Sequence, residues 1–175
     1  AARIDNGIGG LGVNGVARIM SLNIFGPTSS TSSVMLENAI RYAADQGADV
    51  INLSLGGREY SRTMRDALQY AVSKGSFIVS ATGNFGHEIC DDPEQLTFVS
   101  PAAYAAEIDG MVAVGSIDVA TNQLSSFSNF SKRLVELAAP GAVTSDIKIG
   151  LLSTMPGNRY AELAGTSMAA PLVSG

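Results

Sequence analysis

The chain has 175 residues and a formal net charge of −5, with 46% hydrophobic against 15% charged residues. This composition excludes a disordered chain, and an acidic balance without a basic run argues against nucleic-acid binding. No apolar stretch approaches the roughly 20 residues that span a bilayer, and a single cysteine, Cys90, excludes an internal disulfide framework.

The first predicted elements are a strand and a helix. A β-like segment spans residues 17–25, and a Ser/Thr-rich loop at 28–33 follows it. Ser33 is expected to cap the helix, and Gly47 is expected to end it. The apolar residues of this helix recur at helical spacing: Leu36, Ile40, Ala43 and Ala44.

The same alternation continues along the chain. Residues 48–55 and 76–81 predict strands on either side of a helix that Ser61 caps and Gly75 ends. One face of that helix is apolar: Met64, Leu68, Ala71 and Val72. Later short strands are expected at 111–116, 134–138 and 151–154, and a last helix is expected to begin at Thr166. Strands that are apolar on both faces and separated by helices predict an α/β fold, with a mostly parallel sheet covered on both sides.

The organisation of the chain predicts one unit over residues 1–175, because no internal repeat or linker interrupts it. The chain begins with Ala1 rather than Met, and it ends at Gly175, within ten residues of the helix start at Thr166. We therefore expect a fragment or processing product, with a tightly trimmed domain as the alternative.

A glycine pattern at residues 7–12 matches the G-x-G-x-x-G fingerprint of dinucleotide sites. Such a site needs a strand before it and a helix after it, so that the pyrophosphate meets a helix N-terminus. Here a strand is expected to follow instead, and the acidic residue at about the right distance, Glu37, falls inside a helix. We interpret the pattern as a tight turn whose glycines use positive φ angles.

The segment 165–175 (GTSMAAPLVSG) places Ser167 in the first turn of a helix, after a Gly-Thr turn. A helix N-terminus offers unpaired N–H groups and partial positive charge, so the Ser167 N–H could donate to an anion beside its own hydroxyl. An isolated Gly-Thr-Ser is more often a simple helix cap. The full segment, however, resembles the nucleophile segment of subtilisin-like serine proteases, the subtilases (peptidase S8 family).

The resemblance continues along the chain in the family's order. Residues 81–86 (ATGNFG) resemble the A-x-G-N-x-G segment, whose Asn is a side-chain donor to the oxyanion. Residues 51–57 are similar to the substrate-binding strand, residues 134–141 to the stretch leading to an A-P-G turn, and residues 153–157 to the hairpin that follows. The resemblance implies a subtilisin-like three-layer sandwich, with a mostly parallel central sheet flanked by helices. The domain would be partial, incomplete at its N-terminus and C-terminus.

The resemblance also implies a set of site residues. Ser167 would be the catalytic nucleophile, and Asn84 would stabilise the oxyanion together with the Ser167 N–H. The implied substrate-binding residues are Ser54, Leu55, Gly56, Ala81, Thr82, Gly83, Phe85 and Val99. The backbone of residues 54–56 would pair with the substrate as an added strand.

Two loop features follow from the same resemblance. Phe85 and Val99 correspond to the surroundings of the pocket for the residue before the scissile bond. Because neither is charged, we expect an apolar or neutral residue there. The peptide bond before Pro101 corresponds to one that is cis in relatives.

Residues 3–16 resemble the family's calcium loop, so the resemblance implies calcium as a structural cofactor and no organic cofactor. The implied ligands are the carbonyls of Ile4, Ile8 and Gly10 and the side chain of Asn6. Hard cations prefer oxygen ligands, and a glycine-rich loop can turn several carbonyls inward. Two of the family's ligands belong to upstream segments that this sequence does not contain.

The sequence lacks the general base and its carboxylate, which a serine nucleophile needs. In the family the order is Asp, His and Ser, but neither the D-[ST]-G nor the H-G-T-H-V-A-G motif occurs here. The only histidine, His87, begins an acidic, polar loop at 87–96, and we interpret it as solvent-facing. We expect the Asp and His to come from a missing N-terminal part of the same domain, and this chain alone to be inactive.

Two functions therefore stay open. The first is a serine endopeptidase that acts on peptide or protein substrates. The alternative is a catalytically inactive subtilase-like binding or structural module. By resemblance, an inhibitory prosegment is a further expected partner, and the expected location is secreted or at the cell surface of a bacterium.

Overall fold

The computed structural model describes residues 7, 9–26, 30–144 and 149–175. Its helices are α1 (Ser33–Asp45), α2 (Arg62–Ser73) and α3 (Thr166–Ser174), with a short 3-10 helix at Ala102–Ala106. Its strands are β1 (Val50–Leu53), β2 (Phe77–Ala81), β3 (Met111–Asp118), β4 (Val135–Ala142), β5 (Leu151–Met155) and β6 (Arg159–Leu163). Strands β1 to β4 form a parallel sheet in the order β1-β2-β3-β4, and β5 and β6 form an antiparallel hairpin.

The central sheet separates two layers of helices. Successive side chains of a strand point to opposite faces, so Ile78 of β2 packs with α1 and α2, whereas Val79 packs with α3. The predicted apolar faces of α1 and α2 are buried in the first of these cores. Helices on both faces of a mostly parallel sheet confirm the predicted three-layer α/β fold. Strand β1 departs from the prediction of two apolar faces, because its Val50 and Asn52 are exposed.

The helix boundaries follow local signals, with one shift of a residue. Ser61 caps α2, as predicted, and its Oγ accepts from the Met64 N–H at 3.1 Å. The cap of α1 is Ser32 and not Ser33, because Ser32 has the extended backbone of a capping residue and its Oγ accepts from the Met35 N–H. The loop residues 28 and 29 before it lie outside the described residues.

The segment at 17–25 forms no strand, so that prediction is wrong. Ile19 is 70% exposed, whereas Ile24 is buried against the core of α1 and α2. A parallel strand needs a neighbouring strand whose N–H and C=O groups it can bond, and no described strand pairs with this segment. Its apolar residues alone therefore do not make it a strand.

Two predictions about turns are confirmed. Gly7 and Gly9 have φ angles of 67° and 68°, as expected for a glycine turn, while Ile8 between them lies outside the described residues. A side chain at Gly9 would collide with the ring of Tyr160, so this glycine is also required by a close approach. The peptide bond between Ser100 and Pro101 is cis.

Tyr104 links the 3-10 helix to the start of α2. Its Oη accepts from the Ser61 N–H and donates to the Ser61 carbonyl, each at 2.9 Å. The ring is 1% exposed and lies edge-on to Phe98, with the ring centroids 5.8 Å apart. This one side chain therefore holds the residue that caps α2.

We expect Tyr104→Phe to lower the free energy of unfolding by about 1–3 kcal/mol, because the Ser61 N–H loses its acceptor, while the Ser61 carbonyl keeps its bond from the Arg65 N–H. Burial raises the pKa of Tyr104 above its ordinary value of 10.0. The unfolded chain therefore loses this proton first as the pH rises, so the contribution to stability is complete below about pH 10 and declines above it. Urea unfolding at pH 7 and pH 10.5 measures both effects. Equal stability of the two proteins at both pH values would contradict the prediction.

Candidate active site

Ser167 lies in the first turn of α3, directly opposite the chain that leaves β1. Its Oγ donates to the Ser54 carbonyl at 3.2 Å, and the Ser54 Oγ donates to the Ser167 carbonyl at 2.8 Å. The Ser54 Oγ also accepts from Asn52 Nδ2 at 2.9 Å. These bonds tie the start of α3 to the end of β1 and fix the position of the Ser167 hydroxyl.

The turn before α3 requires Gly165, whose φ is 155°. The Gly165 N–H donates to the Gly141 carbonyl at 2.9 Å, which anchors the turn to β4. A Cβ at Gly165 would lie only 3.1 Å from Asn84 Nδ2. The glycine therefore allows the amide of Asn84 to lie beside the helix start.

The amide of Asn84 is oriented by Thr166. Its Oδ1 accepts from the Thr166 N–H at 2.8 Å and from the Thr166 Oγ1 at 3.0 Å. The same Oγ1 accepts from the Gly83 N–H at 3.1 Å, and Thr166 is fully buried. With Oδ1 occupied, Asn84 Nδ2 has no acceptor within the described part of the chain, so it is available to a ligand.

The loop that contains Asn84 is supported on its buried side by Asn129. Its Nδ2 donates to the Thr82 carbonyl at 2.8 Å, and its Oδ1 accepts from the N–H of Phe85 at 3.0 Å. A Cβ at Gly83, whose φ is 99°, would lie 2.7 Å from Asn129 Nδ2. The loop and the buried amide therefore fit together only with glycine at this position.

A cleft of about 240 Å³ opens at the carboxyl ends of β1 and β2, where chains leaving adjacent parallel strands meet. It is lined by eight of the residues predicted for the site: Leu55, Gly56, Ala81, Gly83, Asn84, Phe85, Val99 and Ser167. It is also lined by Gly57, Arg58 and Thr166. The cleft therefore joins the predicted nucleophile, the predicted oxyanion donor and most of the predicted substrate-binding residues.

Two predicted substrate-binding residues lie outside this lining. The side chain of Thr82 is fully buried, and its Oγ1 donates to the Asn129 carbonyl at 3.2 Å. Ser54 lies behind Ser167, to which it is hydrogen-bonded. Both side chains support the walls of the cleft, because their polar atoms are used in bonds within the protein.

His87, predicted to face solvent, is half-buried, and its ring stacks on the exposed ring of Phe85 with the ring centroids 5.7 Å apart. Its backbone N–H donates to Asn129 Oδ1 at 3.4 Å. The Ser167 hydroxyl donates to the Ser54 carbonyl and not to this imidazole. The described residues therefore hold no base in contact with Ser167.

The predicted calcium ligands Ile4, Asn6 and Ile8 lie outside the described residues, whereas Gly10 is described and half-buried. Within residues 7, 9–26, 30–144 and 149–175, no group of three or more His, Cys, Asp or Glu side chains could hold a metal. The calcium site stays a prediction. The helices of the described residues also include none with the length and hydropathy of a membrane span.

Sequence reasoning missed three residues of this site: Arg58, Asn129 and Thr166. Thr166 stands next to Ser167 in the resembling segment, so that motif could have indicated it. Asn129 is separated from Asn84 by 45 positions, and Arg58 lies beyond the resembling strand. Only the folded chain brings Arg58 to the cleft and Asn129 to the loop of Asn84.

Comparison with known proteins places the whole chain in one family. A family model described as "Subtilase family" matches residues 1–175. The thermophilic serine proteinase of Bacillus sp. (strain AK1) is 38% identical over 175 residues, which are 100% of this chain and 38% of that protein. The major intracellular serine protease of Bacillus subtilis (strain 168) is 40% identical over 179 residues, an alignment that covers 100% of this chain and 50% of that protein. Thermitase of Thermoactinomyces vulgaris is 37% identical over 175 residues, an alignment that covers 100% of this chain and 55% of that protein.

Solved structures agree with these relatives. A protease from Pseudoalteromonas arctica PAMC 21717 superposes with a TM-score of 0.79 at 29% identity, covering 100% of this chain and 53% of that one. A cold adapted subtilisin-like serine proteinase superposes with a TM-score of 0.69 at 28% identity, covering 87% of this chain and 49% of that one. The chain thus spans 38% to 55% of the three curated relatives above. Because the family model matches its entire length, the chain belongs to the subtilase family.

Proposed function

We propose that this chain is the nucleophile-bearing part of a subtilisin-like serine endopeptidase. The observation that carries the proposal is that Ser167 and Asn84 line one cleft, and that Asn84 Nδ2 has no acceptor among the described residues. Acyl transfer places a negative charge on a former carbonyl oxygen, and fixed donors aimed at that oxygen stabilise it. Within the described chain the Ser167 N–H has no acceptor either, so two donors from residues that line the cleft are available to a ligand.

The reaction follows from these atoms. Ser167 Oγ attacks the peptide carbonyl, a C–O bond forms, and the carbonyl π electrons move to the oxygen. Asn84 Nδ2 and the Ser167 N–H donate to that oxyanion. Collapse of the intermediate breaks the C–N bond, and the leaving amine takes the proton that the general base removed from Ser167. An acyl group stays on Ser167, and water then hydrolyses it to the free acid and restores the hydroxyl.

A base must take the Ser167 proton, and the Ser54 carbonyl that now accepts it is too weak to serve. Part of the proposal is therefore that a histidine and its aspartate come from sequence preceding Ala1. The share of each relative that the chain covers leaves room for such segments. Calcium, an inhibitory prosegment and export belong to the proposal by family resemblance alone. One relative is itself named an intracellular protease.

Activity assays of two proteins test this proposal: the 175-residue chain, and an extended protein that adds the genomic sequence preceding Ala1 and the genomic sequence following Gly175. We expect the extended protein to hydrolyse fluorescein-labelled casein and the 175-residue chain to show no turnover. His87→Ala should leave the extended protein's activity within about twofold, because His87 stacks on Phe85 and does not contact Ser167.

Two results would contradict the proposal. Turnover by the 175-residue chain that His87→Ala abolishes would make His87 the base. A folded extended protein without any turnover would favour the inactive binding module.

A further inference from the structure

Arg58 is the one charged residue that lines the cleft in the described part of the chain. Its backbone position is fixed by the preceding residue, because the Gly57 N–H donates to the Ser100 carbonyl at 2.9 Å and the Ser100 N–H donates to the Gly57 carbonyl at 2.8 Å. The cationic side chain therefore leaves the main chain at a defined point of the rim.

The guanidinium of Arg58 contacts the ring of Phe85, which also lines the cleft. Its Cζ is 5.5 Å from the centroid of the Phe85 ring, which is the distance of a cation–π contact. The ion pairs among the described residues are Arg65–Glu107, Lys74–Asp45 and Arg133–Asp91, and none includes Arg58. The contact with Phe85 thus orients a positive charge that has no carboxylate partner in that part of the protein.

The rest of the lining adds no charge. Leu55 and Val99 supply apolar surface, and Asn84 and Ser167 are neutral. An acidic side chain fits this combination, because its methylene groups can lie on the apolar surface while its carboxylate reaches the guanidinium. The planar guanidinium presents its N–H donors as a fork that matches a carboxylate.

We propose that the cleft takes an acidic side chain, Asp or Glu, of the substrate residue whose carbonyl Ser167 attacks, and that Arg58 pairs with its carboxylate. This inference rests on the proposed function and names its substrate class. An apolar or neutral residue before the scissile bond is expected from Phe85 and Val99 alone, and the charge of Arg58 changes that expectation. Arg58 is a specificity residue and takes no part in the chemical step.

Two peptides that differ only in Glu or Gln before the scissile bond test the inference, with the extended protein as enzyme. We expect kcat/KM to be about fivefold higher for the Glu peptide at low salt, the upper end of what an exposed ion pair contributes. Arg58→Gln should bring the ratio close to one, and Arg58→Lys should keep part of it. The ratio should also shrink at about 1 M salt, where charges are screened over roughly 3 Å.

Arg62→Gln is the matched control, because Arg62 is an exposed arginine at the start of α2 that does not line the cleft. It removes the same charge and should leave the Glu-to-Gln ratio unchanged. This inference is overturned if the extended protein cleaves the peptides and Arg58→Gln leaves the Glu-to-Gln ratio of kcat/KM unchanged. It is also overturned if Arg62→Gln lowers that ratio as much as Arg58→Gln does. In both cases the proposed function still stands. Absence of turnover on both peptides and on casein would overturn both.

Discussion

Ser167→Ala is expected to lower kcat of the extended protein by about 10⁶, a magnitude taken over from subtilisin, where loss of the nucleophile has this effect. The substitution removes the atom that attacks the carbonyl. It also removes the hydrogen bond to the Ser54 carbonyl, while the reciprocal bond from the Ser54 Oγ to the Ser167 carbonyl can remain. The fold should therefore persist. Steady-state hydrolysis of the peptide that the extended protein cleaves fastest measures the loss.

Ser174→Ala is the control for this prediction. It makes the same chemical change in the same helix, at a residue whose Oγ bonds to Asn52 Oδ1 and to the Ala170 carbonyl. We expect its kcat to stay within about threefold of the parent, because this half-buried serine does not line the cleft. If Ser167→Ala kept more than about 1% of the parent kcat while remaining folded, another group would be the nucleophile.

Asn84→Leu should lower kcat by about 10²–10³ with little change in KM, a magnitude taken from the oxyanion asparagine of subtilisin. The physical reason is that Asn84 Nδ2 meets charge that exists only in the transition state, so the ground-state complex loses little. A change confined to KM would contradict this role, and so would an unchanged kcat. Asn38→Leu on the exposed face of α1 makes the same replacement away from the cleft and should leave both constants unchanged.

A second variant separates chemistry from structure. Asn84→Asp keeps an oxygen that can accept from the Thr166 N–H and Oγ1, so the start of α3 should stay in place. It loses the donor and brings a negative charge to the oxyanion, so kcat should fall at least as far as in Asn84→Leu. A fully active Asn84→Asp variant would show that the side chain serves only to hold Thr166.

Features encoded within a few residues were predictable from the sequence. Ser61 and its bond to Met64 lie three positions apart, and Gly75 follows α2 with the positive φ expected of a helix end. The proposed nucleophile and the proposed oxyanion donor each stand in a short segment that resembles the family. The sequence therefore indicated Ser167 and Asn84 without knowledge of the distance between them.

Features that depend on distant partners were not predictable in the same way. The segment at 17–25 has the apolar residues of a strand, but strand formation depends on a neighbour that the local sequence does not reveal. Asn129 reads as an ordinary polar residue until its amide is seen bonded to the loop of Asn84. The position of Arg58 beside the ring of Phe85, 27 residues further along the chain, is seen only in the folded protein.

The central claim is that Ser167 is a serine nucleophile, and covalent labelling tests it most directly. The extended protein is treated with a fluorophosphonate, whose phosphorus–fluorine bond breaks as a bond to an activated serine oxygen forms, and the adduct is located by peptide mass spectrometry. We expect one adduct per molecule, on Ser167, which Ser167→Ala abolishes and Ser174→Ala leaves intact. An adduct on another residue, or a folded and unlabelled Ser167, would contradict it.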